Sequence, residues 1–181
     1  MTKRKTKPFW QIEETAKNYL ELHNCFDEPY SGIDFIIESC GIDLIPLNKV
    51  SNNNLLGFFG NNGKEKFIAY NSKLIPERIL FTKAHELGHF VLNHNLKSDI
   101  VTETTVKSKD PQETEANVFA AAFLMPKQVL CPFLTSINYD INIPFDDLLH
   151  FQKQEVILLV CDRFKTSKQA TYFRLKNLSR T

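Results

Sequence analysis

Apolar residues near the start of the chain recur with the period of an α-helix. Within Phe9–His23, three apolar residues follow Ile12 by four, seven and eight positions, so all four share one face of a predicted helix. The three residues are Ala16, Tyr19 and Leu20. A second apolar group predicts a helix over residues 33–40. Gly41 suits its end, because glycine readily adopts the left-handed conformation found there.

The pattern then changes to short extended segments. Residues 42–47 form the first predicted strand. Residues 55–59 and 66–70 flank the segment 60–63, whose glycines and asparagines are typical of a hairpin turn. These three strands predict a small, mostly antiparallel sheet. Whichever hairpin strand lies at the sheet edge could pair with an extended peptide.

The helical period returns at Pro76, which suits the first turn of a helix, and continues to Leu92. Gly88 in its interior costs about 1 kcal/mol relative to alanine. A small residue at that position favours close approach by a neighbouring element. The polar segment 95–110 is predicted to be a loop, either a lid that contacts a ligand or a disordered connector.

Composition narrows the class of protein without defining it. The chain has 181 residues, 43% of them hydrophobic and 24% charged, as expected of one soluble globular domain with a small appendage. The net charge of +1 gives no global field that favours nucleic acid or a membrane. The four cysteines form no CxxC pair, and no apolar segment approaches the ~18 residues of a membrane span. We therefore expect a cytoplasmic protein, with residues 1–8 as a solvated basic tail.

The segment from His85 to His89 carries the strongest chemical signal, because it has the pattern HExxH. The two histidines lie one helical turn apart and face the same side. Two neutral imidazoles at this spacing can bind one Zn²⁺, and Glu86 can act as a general base toward a water molecule. A catalytic zinc site needs a third protein ligand and leaves the fourth position open.

The third ligand is sought in the helix that follows the polar loop. Asp110 suits the N-cap and Pro111 the first helical position, and the helix is predicted to end near Met125. Glu113 and Glu115 lie about 200° apart on it, so only one of them can face the metal ion.

We favour Glu113 as the ligand, because Asn117 follows one turn later on the same face and could orient a metal-bound histidine. Glu113 also stands where it could complete a capping box with Asp110, and this alternative remains open. Glu115 shares its side of the helix with Phe119. His94, beyond the histidine pair, is expected to interact with the C-terminal dipole of its helix.

At these residues the chain resembles the ImmA/IrrE family of zinc-dependent endopeptidases, over about residues 12–178. The matching motifs are Arg78-x-x-Phe81-Thr82-x-Ala84-His85-Glu86-Leu87-Gly88-His89 and Glu113-x-Glu115-Ala116-Asn117-x-Phe119-Ala120-Ala121-x-x-Leu124-Met125-Pro126. The resemblance implies that His85, His89 and Glu113 bind Zn²⁺ and that Glu86 is the catalytic base. It further implies cleavage of an Xre-type helix-turn-helix repressor, which would release stress, prophage or mobile-element genes. This chain shows no helix-turn-helix pattern before these motifs. The repressor is therefore expected to be a separate polypeptide, encoded nearby.

The C-terminal pattern predicts a helix, a tight turn and a second helix capped by Ser167, which is similar to a helix-turn-helix. The second half is basic, with Lys165, Lys168, Arg174 and Lys176. We favour packing or partner docking over sequence-specific DNA binding, because the chain has little net charge and no clear dimerisation element.

The predicted fold is an α+β zincin-like metallopeptidase domain over residues 1–130, with a small, mostly antiparallel sheet packed on the HExxH helix. A C-terminal helical subdomain follows over residues 131–181. The predicted function is zinc-dependent proteolysis of a regulatory protein. The alternative is a zinc-containing regulator that binds a repressor, an antitoxin or DNA without cutting. The residue that stabilises the oxyanion stays open among Tyr70, Asn71, Tyr172 and Arg174.

Overall fold

The computed structural model describes residues 6–49, 55–94, 101–102 and 110–178. Seven α-helices run through these residues: α1 (Phe9–His23), α2 (Pro29–Ser39), α3 (Pro76–Val91), α4 (Pro111–Leu124), α5 (Lys127–Ser136), α6 (His150–Phe164) and α7 (Lys168–Asn177). The strands are β1 (Ile42–Leu47), β2 (Leu55–Asn61), β3 (Lys66–Asn71) and the two-residue β4 (Val101–Thr102). The bounds predicted for α1 and β1 are confirmed, whereas α2 begins earlier, because Pro29 occupies its first turn.

The strands form one mixed sheet in the order β1-β3-β2-β4. β1 pairs with β3 in parallel, while β2 pairs antiparallel with both β3 and β4. The mostly antiparallel sheet and its hairpin are therefore confirmed. β3 lies inside the sheet, so the possibility that its residues 66–70 form a free edge is wrong. Periodicity reports which face of a strand is buried, but it does not report strand order.

The HExxH helix α3 packs against β2 and β3 on one side and against α4 on another. Its contact with α4 is close at Gly88, where an added Cβ would lie 3.0 Å from the Phe119 ring. Phe119 is fully buried. The small residue predicted to permit close approach therefore lies where α4 crosses α3.

The buried apolar residues form two clusters. The first joins α1, α2, the sheet, α3 and α4, and the second begins at Met125 and joins α5, α6 and α7. In the second cluster, α6 ends at Phe164, Lys165 takes the left-handed conformation with φ 53°, and Ser167 caps α7 by accepting the Ala170 N–H. The predicted helix, tight turn and capped second helix are confirmed.

Two predictions fall wholly or partly outside the described residues. Only Val101 and Thr102 of the predicted loop 95–110 are described before Asp110, and they form β4. Residues 1–5 of the predicted basic tail are also outside. Lys7 belongs to the described part and is half-buried, with contacts to two other segments.

No single helix in the described ranges is long and apolar enough to span a membrane. The bent pair Pro111–Leu124 and Lys127–Ser136 passes that test of length and composition only when the two helices are taken together.

Candidate metal centre

Two adjacent helices bring three ligand side chains to one point. α3 contributes His85 and His89, one turn apart, and α4 contributes Glu113 from its first turn. The Nε2 atoms of the two histidines lie 2.9 Å apart, and each lies 3.3 Å from a carboxylate oxygen of Glu113. All three residues are buried. The structure thus assembles the three residues that the sequence proposed as metal ligands.

Glu113 faces the histidines rather than the N-cap. The Asp110 carboxylate does cap α4, but it accepts the backbone N–H of Gln112. Burial would raise the pKa of Glu113, yet the imidazole rings of His85 and His89, 3.3 Å from its oxygens, hold that pKa at about 2. Glu113 is therefore a carboxylate at neutral pH, as a metal ligand must be.

The remaining ring nitrogen of each histidine is also engaged. His85 Nδ1 lies 3.0 Å from Asn117 Oδ1, as expected from the position of Asn117 one turn beyond Glu113. His89 Nδ1 lies 2.9 Å from His94 Nδ1. Because an amide oxygen only accepts, the Asn117 contact places the proton of neutral His85 on Nδ1. Its Nε2 then carries a lone pair directed at the ligand cluster.

The donor set fits a metal ion. Two imidazole lone pairs and a carboxylate that converge on one point repel one another, and a cation between them removes that repulsion. Tetrahedral zinc with bonds of about 2.0–2.2 Å sets neighbouring ligand atoms roughly 3.3 Å apart, close to the observed separations. Glu113 Oε2 is buried and has no hydrogen-bond partner among the described residues, which leaves it available to an ion. Two histidines and one carboxylate are also a known catalytic zinc set.

Burial lowers the pKa of His89, which keeps its ring neutral and able to bind a cation at neutral pH. Burial also acts to lower the pKa of His85, but the Glu113 carboxylate, which accepts a hydrogen bond from the charged ring, and the charge of Glu86 together raise it above the usual value. Metal binding at His85 must therefore displace a proton that the neighbouring carboxylates favour.

Glu86 lies beside the three ligands and is held by the sheet. Its Oε2 accepts the Phe59 N–H of β2 at 2.9 Å, while its Oε1 is buried without a partner in the described part of the chain. Burial raises the pKa of Glu86 to about 7, supported by Glu113 and opposed by His85 and the Phe59 N–H. A carboxylate with that pKa can both take and return a proton near neutral pH.

Sequence reasoning missed the roles of His94 and Glu115. Beyond Val91 the chain leaves the helix, and Asn93 takes a left-handed conformation with φ 54°, which turns His94 back toward His89. His94 therefore contacts a ligand rather than the helix dipole, and its other nitrogen lies 3.0 Å from Glu115 Oε2. Two features of the sequence could have indicated this contact. His94 follows His89 by only five residues, and Glu115 lies on the same predicted helix as the ligand Glu113.

Two residues considered for the oxyanion have other partners. Asn71 donates its side-chain amide to Leu55 O and accepts the Lys73 N–H, so it fixes the strands and the turn after them. Arg174 is buried, donates to Met125 O and pairs with Glu13. Arg174 is therefore also removed from the basic surface that a DNA-binding helix would need.

A groove of about 730 Å³ lies between α3, α4 and α7, beside the ligand cluster. Asn117, which contacts His85, lines it, as does Thr82, one turn before Glu86. Its apolar wall includes Phe81, Val118 and the half-exposed ring of Phe173. Cationic side chains in the lining are Arg78, Lys168 and Arg174.

A mixed sheet on an HExxH helix, with the next helix completing a His-His-Glu group, defines a zincin-like metallopeptidase fold. The chain belongs to the M78 peptidase family, the ImmA/IrrE family, whose IrrE N-terminal-like domain matches residues 37–176.

Two further comparisons concern a phage protein that is similar in sequence and a solved structure that is similar in fold. The chain is 29% identical over 133 residues to the "Uncharacterized immunity region protein 2" of Bacillus phage phi105, a match that covers 74% of this chain and 80% of the relative. It also shares its fold with a solved structure described as a Mycobacterium tuberculosis transcriptional regulator, with a TM-score of 0.59 and 17% identity. That match covers 89% of this chain but only 45% of the regulator, so the chain spans less than half of that protein.

Proposed function

We propose that the protein is a zinc-dependent endopeptidase that cleaves a regulatory protein, an Xre-type helix-turn-helix repressor, in the cytoplasm. The observation that carries this proposal is the arrangement of Glu86 beside the convergent nitrogens of His85 and His89 and the carboxylate of Glu113. Membership of a peptidase family supports the reaction class. The phage relative named as an immunity region protein supports a regulatory substrate.

The residues divide the chemistry between them. His85, His89 and Glu113 would hold zinc, with Asn117 fixing the ring of His85. Bound zinc would supply Lewis acidity, polarising the scissile carbonyl and favouring deprotonation of the attacking water. Glu86 accepts the proton of that water and returns it to the leaving amine. The pKa of about 7 allows both transfers near neutral pH.

The substrate is proposed to lie along β2 beyond Gly57, where no strand of the described residues other than β3 pairs with it. The pairing of β2 with β4 covers Leu55 and Gly57, and the N–H of Phe59 beyond them points to Glu86 rather than to β3. An extended peptide pairing with this part of β2 would bring its carbonyl groups next to Glu86. Its side chains could then enter the apolar groove that Asn117 and Phe173 line.

The test uses purified protein, zinc and an Xre-type helix-turn-helix repressor, chosen from the genes that neighbour this one. We expect the wild type to produce discrete repressor fragments by mass spectrometry. The Glu86→Gln variant should bind zinc normally and cleave at least about 10²-fold more slowly, because it lacks the base. If Glu86→Gln cleaves at the wild-type rate, the proteolytic proposal is wrong.

A second outcome would favour the alternative function. If the wild type and the Glu86→Gln variant both bind zinc and the repressor, and neither cleaves the repressor, this chain is a zinc-containing regulator that acts by binding. Duplex DNA is tested as a further ligand in the same assay. DNA binding by the protein would be recognised by its steep weakening as the salt concentration rises. The burial of Arg174 and its pairing with Glu13 argue against a DNA-binding role for α7.

A further inference from the structure

Two buried polar residues outside the metal-ligand set lie in line with His89. His94 Nδ1 is 2.9 Å from His89 Nδ1, and His94 Nε2 is 3.0 Å from Glu115 Oε2. The side chains of His94 and Glu115 are both fully buried. A buried carboxylate is costly unless it is paired or hydrogen-bonded, so this pairing accounts for how Glu115 is tolerated inside the protein.

The direction of the hydrogen bonds follows from Glu115. A carboxylate only accepts, so His94 Nε2 carries the proton in this contact. The other nitrogen of a neutral His94 ring is then unprotonated and accepts the Nδ1–H of His89. His89 Nε2 is left with a lone pair, 2.9 Å from His85 Nε2 and 3.3 Å from Glu113. This is the tautomer that a metal ion at the cluster requires.

Glu115 is itself held in place from the N-terminal side. Its Oε1 accepts the backbone N–H of Lys7 at 2.8 Å, while Oε2 contacts His94. The ammonium of Lys7 donates to Leu92 O at 2.8 Å, between His89 and His94 in sequence. Both carboxylate oxygens thus have partners, and the segment before α1 is joined to the turn after α3.

We propose that His94 and Glu115 are positioning residues that fix the tautomer and orientation of His89 for metal binding. His94 sets the proton on His89 Nδ1, and Glu115 sets the proton on His94 Nε2. This inference rests on the metal centre of the proposed function and not on proteolysis. Partners of this kind contribute about 10–100-fold to metal affinity when a single one is removed.

Two substitutions of His94 separate positioning from packing. In His94→Asn, the amide oxygen can take the place of Nδ1 and still accept from His89. In His94→Gln, the amide lies near the position of Nε2 and leaves His89 Nδ1 without its acceptor. We expect zinc dissociation constants, measured by competition with a chelating dye, to rise about 10–100-fold for Gln and only severalfold for Asn.

Glu115→Gln tests the outer partner. Its amide has one acceptor oxygen for two donors, the Lys7 N–H and the His94 N–H, so one hydrogen bond is lost. We expect an intermediate loss of zinc affinity, roughly tenfold. Ile36→Ala is the control for general loosening, because Ile36 is fully buried in the same core on α2. It should lower stability and leave the zinc dissociation constant within about twofold of wild type.

A measurement on metal-free protein completes the test. Nitrogen NMR of the imidazoles should show the His89 proton on Nδ1 in the wild type and in His94→Asn, and a mixture of tautomers in His94→Gln. The proposal is overturned if His94→Gln keeps both the tautomer and the zinc affinity of wild type, or if Ile36→Ala weakens zinc equally. The zinc dissociation constant and the imidazole NMR are both measured without a substrate. The positioning proposal can therefore hold even if the protein cleaves no substrate. A wild type that binds no zinc refutes both the zinc peptidase and the role of His94 and Glu115 in metal binding, whereas zinc binding without cleavage refutes the peptidase alone.

Discussion

At the scale of single residues, the site is organised by how each polar atom is engaged. His85 Nδ1 contacts Asn117, His89 Nδ1 contacts His94, and the Nε2 atoms of His85 and His89 face the ligand cluster. Glu86 accepts the Phe59 N–H with one carboxylate oxygen. The sequence predicted a common set of site residues from the HExxH pattern, from spacing within each helix and from the family resemblance: His85, Glu86, His89, Glu113 and Asn117. It did not predict His94 and Glu115, because their contact depends on where α3 ends and on the left-handed turn at Asn93.

The titration of Glu86 is the prediction at this scale. In metal-free protein its carboxyl should stay protonated up to a pH of about 7, because burial raises its pKa to that value. Zinc should lower this pKa, because a nearby dication stabilises the carboxylate. Zinc binding will therefore release a proton from Glu86 below about pH 7, and apparent affinity should increase with pH.

Carbon NMR of the glutamate side chains measures this titration, with Glu86→Gln identifying the resonance. A Glu86 signal that titrates near 4.5 in metal-free protein would contradict the account. A Glu86 resonance whose titration is the same with and without zinc would also contradict it.

At the scale of helices and strands, local patterns predicted most of the fold. Periodicity and turn chemistry placed α1, β1, the hairpin, α3 and α4, and a capping serine placed α7. The interior position of β3 was not predicted, because strand order depends on long-range pairing. Gly88 predicted that a neighbouring element approaches α3 closely, and the structure shows that this element is α4, through Phe119.

Gly88→Ala tests the crossing. Alanine gains about 1 kcal/mol of helix propensity, but its Cβ would lie 3.0–3.2 Å from Phe119, which is fully buried. Overpacking typically costs about 1–3 kcal/mol, so we expect a net loss of up to roughly 2 kcal/mol in the free energy of unfolding. Urea denaturation measures it.

The double variant Gly88→Ala/Phe119→Leu provides the control. Relief of the contact should make the two substitutions less destabilising together than the sum of the single effects. An alanine variant more stable than wild type would show that α4 has room to move, contrary to the close crossing.

At the scale of the whole molecule, the two apolar clusters leave a groove between them, beside the metal centre. α7 forms one wall, with Phe173 half-exposed, and α3 and α4 form the other. The predicted C-terminal helical subdomain thereby gains a proposed role, to bind substrate next to the catalytic helix. Neither composition nor local periodicity could predict this groove, because it arises from the packing of distant segments.

Phe173→Ala tests the groove, with Phe151→Ala as its matched control. Both rings are exposed on C-terminal helices, at 51% and 64%, but only Phe173 lines the groove. An apolar contact in a binding pocket is worth about 1–3 kcal/mol, so Phe173→Ala should slow repressor cleavage by roughly tenfold or more. Zinc affinity should not change in either variant. Equal cleavage rates for the two variants would exclude the groove as the substrate site.

The central claim is that one zinc ion binds to His85, His89 and Glu113, and anomalous diffraction at the zinc edge tests it most directly. Crystals of zinc-loaded protein should give one strong peak, at about 2.0–2.2 Å from both Nε2 atoms and from the Glu113 carboxylate. A peak at other side chains, or none at this cluster after loading with zinc, would contradict the account.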